Sequence, residues 1–266
     1  MPDTLKSLAV NVLQTASPYA KADATRAIAK RWSEGGLAVG ESVKVPDRPA
    51  RPAQPELRLP RDMPRRRLGS EEGRIALLHA LAHIELNAID LACDLIARFP
   101  TDDGALPVEF YNDWINVADD EARHFKMLER RLQELGSNYG AHPAHDGLWQ
   151  AAEETKDDLA ARLAIVPLIL EARGLDVSPA TIEKLNTMGD GSSATILDEI
   201  YNDEISHVHC GIIWFEWVCD QKQIESVSHW HDLVAKYFKG SLKPPFNLPA
   251  RNAAGFKPDY YLNHFK

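Results

Sequence analysis

Glu121 and His124 stand three residues apart, and so do Glu204 and His207. Each pair follows a lone glutamate on an earlier apolar stretch: Glu85 lies 36 positions before Glu121, and Glu171 lies 33 before Glu204. In a helix, residues i and i+3 share a face, so each Glu-x-x-His directs a carboxylate and an imidazole into one volume. With a rise of about 1.5 Å per residue and a short turn, a helical hairpin brings mid-helix residues about 30–40 positions apart level with each other. The chain therefore carries the same half-site twice. Four carboxylates and two imidazoles are the donor set with which a four-helix bundle holds two metal ions in its core.

One Glu-x-x-His carries little information by itself, because chance alone supplies about one in a chain with 10 His and 18 Glu. The surroundings carry more. Leu78, Leu81, Ala82, Ala88, Ile89 and Ala92 flank Glu85 at helical spacing. Trp114, Val117, Ala118, Phe125 and Leu128 do so for Glu121. Leu197, Ile200, Tyr201, Val208 and Gly211 surround Glu204, and Ala164, Pro167 and Leu168 precede Glu171. A carboxylate in the middle of an apolar stripe costs several kcal/mol unless it is paired or takes up a proton. A buried salt-bridge network lacks its cations here, because these faces carry no Lys or Arg except near their ends. Two divalent ions would balance four carboxylates, leaving the imidazoles neutral. Oxygen and imidazole donors suit iron first, with manganese or a mixed manganese–iron pair as alternatives. Asp120 and Asp203 each precede a Glu of a pair and are placed to hold a ligand imidazole's second N–H, Asp120 that of His207 and Asp203 that of His124.

Long helices must position these groups. Ser70 with Glu71 and Glu72 starts a helix that runs to Phe99 and stops at Pro100. A second spans about 109–135 and ends at Gly136, a third about 146–174, and a fourth about 193–220. Ser178-Pro179 opens a short connecting helix between the last two. Residues 4–34 read as one or two modest helices closed by Gly35-Gly36, and 228–239 as a further helix before an irregular tail from Lys243. Six prolines between 45 and 66 make that stretch an extended arm that wraps the bundle. The expectation is an all-α chain: an N-terminal helical segment (1–44), a Pro/Arg-rich arm (45–69), an antiparallel four-helix bundle (70–222), and a C-terminal helix and tail (223–266).

Other side chains are weighed against the same pattern. His83 lies about 200° around its helix from Glu85, so His79 and His83 read as interface hydrogen-bonders rather than ligands. His145-Asp146 reads as a cap for the third helix. Tyr201, one turn before Glu204, is a candidate catalytic residue placed to bond a ligand or carry an electron; an ordinary core tyrosine is the competing reading. Pro167 should kink the third helix, and Gly211 should free space on the fourth. Together they point to a cavity beside the metals that admits O₂ and part of a substrate, against a plain close helix contact.

Composition narrows the classes. The 266 residues carry a net charge of −9, yet residues 44–67 hold eight Lys/Arg against three Asp/Glu. A solubilising basic arm explains this stretch better than a nucleic-acid groove, which needs a broader basic face. No run of about 18 apolar residues suggests a membrane span, and no signal pattern opens the chain. Three cysteines without a C-x-x-C pair fit reduced thiols in the cytoplasm.

The stretches RRRLGS, HIELNAIDLACD, DEARHF, AHDGLW, VPLILEARGLDVSP and DEISHV resemble a bacterial ferritin-like family catalogued as domain of unknown function 455. More broadly, the chain resembles the ferritin-like di-metal carboxylate superfamily. Asp120 to His124 matches the D-E-x-R-H form of its oxygenase branches, whereas Ser206 stands where the second motif of those branches has Arg. A looser similarity reaches the tRNA isopentenyl-adenosine hydroxylase. The resemblance implies a ferritin-like bundle and a di-metal site at Glu85, Glu121, His124, Glu171, Glu204 and His207. It leads to an O₂-dependent oxidase or hydroxylase acting on a small molecule or modified nucleoside. Ferroxidase or iron handling is the first alternative, and long extensions on both sides of the bundle speak against a cage. A metal-stapled interaction bundle is the second.

Overall fold

A computed structural model describes residues 3–59, 62–63, 69–99 and 106–262. The expected helix stop at Pro100 and the arm prolines Pro60 and Pro64 lie outside them. The described residues are overwhelmingly helical, and their strands amount to a two-residue parallel pair, β1 (Leu57–Arg58) with β2 (Ala144–His145). The chain divides into two compact units, residues 1–149 and 150–266.

The first unit contains α1 (Leu5–Leu13), α2 (Pro18–Ser33), α3 (Glu71–Arg98) and α4 (Val108–Glu134), with the start of α5 (Gly147–Glu154). Ser70 accepts a hydrogen bond from the Gly73 amide at 3.1 Å and caps α3 above its acidic first turn. Leu78, Ala82, Leu86, Ile89, Cys93 and Ile96 follow a 3.6-residue period and are buried. They pack with Phe110, Trp114, Val117, Phe125, Leu128 and Leu132 of α4, the helix α3 touches most. An 18-residue window of α3 is apolar enough to cross a membrane, contrary to the expectation from sequence, but 67% of it is buried inside the protein.

α1 packs on α3 and α2 on α4. A buried ionic knot fixes the outer pieces: Lys21 of α2 pairs with Asp90 of α3, and Arg51 of the arm reaches Asp90 at 3.5 Å and Asn87. Arg98 donates to the Pro46 carbonyl at 2.8 Å and the Trp149 indole to the Asp47 carbonyl at 3.1 Å. Pro46, Asp47 and Arg51 thus bind the described start of the arm along this unit.

The second unit contains the remainder of α5, then α6 (Leu159–Ile165), a π-helical segment (Val166–Glu171), α7 (Ala172–Thr187), α8 (Gly191–Gln221), α9 (Ser226–Tyr237), α10 (Leu248–Ala253) and α11 (Pro258–Tyr261). The expected single helix over 146–174 is corrected here. It breaks at 155–158, where Asp158 accepts from the Ala161 amide and restarts the chain as α6. It also does not stop at Gly174: α7 runs through Pro179, so Ser178-Pro179 starts nothing. The tail is likewise more ordered than expected. Arg251 of α10 makes two bonds to Asp176, at 2.9 and 2.7 Å, and its guanidinium lies 4.4–5.4 Å from the rings of Phe246, Phe256 and Tyr261. Such a planar, delocalised cation tolerates burial against rings when its charge is matched.

Candidate metal centre

Glu85 extends from the middle of α3, and Glu121 and His124 from one face of α4. Helix pairing brings the three together. The His124 Nδ1 atom lies 3.2 Å from Glu85 Oε2 and 3.7 Å from Glu121 Oε2. All three side chains are buried, and donor atoms of the trio lie within 4.8 Å of one another.

Electrostatics follow from that burial. The Glu85 carboxyl is pushed well above the usual carboxylate range, first by loss of water and then by the neighbouring Glu121 charge. Burial alone would depress the His124 imidazole, but the two glutamates outweigh it and raise its pKa to about 11. Without a metal, the trio therefore holds a proton on His124 that compensates carboxylate charge. Glu85, Glu121 and His124 would together hold one divalent ion through carboxylate oxygen and imidazole nitrogen donors. The donor set fits a hard or borderline cation.

The second unit repeats the motif. His207 is buried on α8, and its Nδ1 lies 3.7 Å from Glu204 Oε1. That matches the His124–Glu121 separation and places the same ring nitrogen toward the same partner. The Glu204 side chain is 12% exposed, and its Oε2 is buried without a hydrogen-bond partner. Glu171 closes the π segment, half-buried. Pro167 explains the wider turn: it has no N–H and its ring would clash with the carbonyl four residues back, so the backbone opens there.

The room expected at Gly211 is taken up by its neighbours. A Cβ on Gly211 would come within 2.6 Å of Pro167 Cβ and 3.3 Å of Leu168 Cδ2, so the glycine lets α8 and the π segment touch. The close-contact reading of Gly211 is the right one. The Tyr201 hydroxyl accepts a bond from Asn247 Nδ2 at 3.0 Å, which ties it to the tail. Asp120 receives a bond from Arg123 of its own helix at 3.2 Å, and the Asp203 carbonyl receives one from Ser206 at 2.7 Å.

His79, His83 and His145 serve as hydrogen-bonding groups, as expected. His83 Nε2 faces the His145 carbonyl at 3.0 Å and must donate, so its Nδ1 accepts from the Tyr139 hydroxyl at 2.8 Å. Burial, then Arg51, depresses His83 to about 3. His79 stacks on Tyr139 and accepts from the Gly140 amide at 2.9 Å. His145 Nδ1 accepts from the Gly147 amide at the start of α5, the expected cap.

The family model described as "Protein of unknown function (DUF455)" matches residues 14–262. A Haemophilus influenzae protein named "Uncharacterized protein" is 40% identical over 208 residues, which cover 77% of this chain and 72% of that relative. No solved structure matches.

Proposed function

From a chain that belongs to the family "Protein of unknown function (DUF455)", we propose a di-metal carboxylate protein of the ferritin-like kind that oxidises or hydroxylates an organic substrate with O₂. The observation that carries this reading is the repeated half-site. Two buried imidazoles each present Nδ1 at 3.7 Å to the glutamate one turn earlier, once in each unit.

Glu85, Glu121 and His124 form one half of the ligand set, and Glu171, Glu204 and His207 the other. Asp120 and Asp203 orient the ligand histidines. A di-iron pair held there would supply the electrons for reducing O₂. The chain's own part is to fix four carboxylates against two positive ions and to keep both imidazoles neutral. Buried Trp114, Val117, Ala118 and Phe125 exclude water from that volume, which strengthens charge interactions within it.

Manganese or a mixed pair fits the same donors. The test is anaerobic loading with Fe(II), followed by mixing with O₂ and optical recording. An oxidase or hydroxylase consumes O₂ and returns to its reduced state when a reductant is supplied, with no ferric mineral. Accumulation of many ferric ions per chain would show iron handling instead, and no O₂ consumption would leave a structural metal staple.

A further inference from the structure

A surface cleft of about 560 Å³ lies in the first unit between α2 and α4. Tyr19 and Arg26 come from α2, and Arg123, Lys126, Met127 and Arg130 from one stripe of α4. Glu129 and Gln133 complete the lining, so the walls carry four cationic groups and one carboxylate. The volume falls in the range of small-molecule sites, about 300–1,000 Å³.

We propose that this cleft binds a phosphate monoester with a planar aromatic body, of mononucleotide size. Two kinds of chemistry meet there. Arg26, Arg123 and Arg130 present planar forks that match phosphate oxygens in pairs, and Lys126 adds a point charge. The Tyr19 ring is 45% exposed and, with the Met127 thioether, supplies an apolar surface for stacking. Tyr19 is held in place from behind, because its hydroxyl donates to buried Glu129, and Gln133 bonds both that hydroxyl and that carboxylate. Glu129 is itself fixed by the Tyr139 amide at 2.7 Å.

The cations are not idle. Arg26 lies 3.6 Å from Asp119, Arg123 3.2 Å from Asp120, Lys126 2.6 Å from Asp23 and Arg130 3.6 Å from Glu134. These are exposed or half-exposed pairs, which contribute little to stability. They keep the side chains extended over the cleft and yield to a dianion that engages several guanidinium groups at once.

Metal-free full-length protein serves for the test, so its outcome is independent of the metal reading. Adenosine 5′-monophosphate and flavin mononucleotide are titrated by calorimetry, with adenosine, ribose 5-phosphate and inorganic phosphate as comparison arms. We expect saturable binding of at least one mononucleotide, with adenosine, ribose 5-phosphate and phosphate each at least 5-fold weaker than the nucleotide. Arg26→Ala and Arg130→Ala, both exposed substitutions, should each weaken binding about 10-fold, and raising salt from 50 to 500 mM should weaken it similarly. Failure of both nucleotides to bind overturns the proposal. So does adenosine binding as tightly as its monophosphate, phosphate alone binding as tightly as the nucleotide, or nucleotide affinity unchanged in both arginine variants.

Discussion

His83 is held neutral inside the first unit, and that should make the protein acid-sensitive by a calculable amount. Its imidazole sits at about 3 in the folded chain against an ordinary value of 6.5. The unfolded chain therefore binds more protons below pH 6.5. The stability that a neutral His83 secures is fully present above pH 6.5 and is lost as pH falls from there toward 3. At pH 5 the folded side chain is still neutral, so the loss depends on the unfolded value alone. It amounts to RT ln(1 + 10^1.5), or about 2 kcal/mol, with almost none lost at pH 7.5.

The assay is urea unfolding of the EDTA-treated protein at both pH values, for the native chain and for His83→Gln. The variant starts lower, because the Tyr139 hydroxyl loses its buried acceptor at a cost of about 1–3 kcal/mol. Between pH 7.5 and 5, however, the native chain should lose about 2 kcal/mol more than the variant does. Parallel losses in the two proteins would refute the reasoning, since they would mean that His83 takes up a proton as easily folded as unfolded.

Three further outcomes follow from named contacts. Gly211→Ala puts a methyl group where Pro167 already stands, so it should cost about 1–3 kcal/mol, read as a lower denaturation midpoint; an unchanged midpoint would mean the two helices do not touch. Lys21→Met leaves the buried Asp90 carboxylate short of its closest cation and should cost about 3–5 kcal/mol in the same assay. Because His124 is protonated at neutral pH before loading, metal uptake must expel protons. Calorimetry of loading in buffers of different ionisation enthalpy should therefore show a buffer-dependent heat, and a buffer-independent one would contradict the protonated imidazole.

Much of this was legible in the sequence. α3, α4 and α8 could be read because each combines an apolar period with end signals, such as the Ser70 cap and Gly136 just beyond α4. The first half-site was legible because Glu85 interrupts an apolar stripe at hairpin distance from Glu121. The third long segment was not, because Pro167 widens the backbone into a π turn instead of ending the helix, and Pro179 is accommodated inside α7. The Gly211 side of the centre misled for a related reason: a missing side chain is equally consistent with a void and with a close neighbour. The basic cleft escaped entirely. Arg123, Lys126 and Arg130 show helical spacing, but Tyr19 and Arg26 join them only through the packing of α2 on α4.

The central claim is most directly tested by metal stoichiometry. The native chain, loaded anaerobically with Fe(II), desalted and measured by elemental mass spectrometry, should retain two ions. His83→Gln should retain the same two, since His83 bonds to Tyr139 and the His145 carbonyl. The double variant Glu121→Ala, Glu204→Ala should fall to well under one. A native chain that retains no iron or manganese, or a double variant that still retains two ions, would contradict the account.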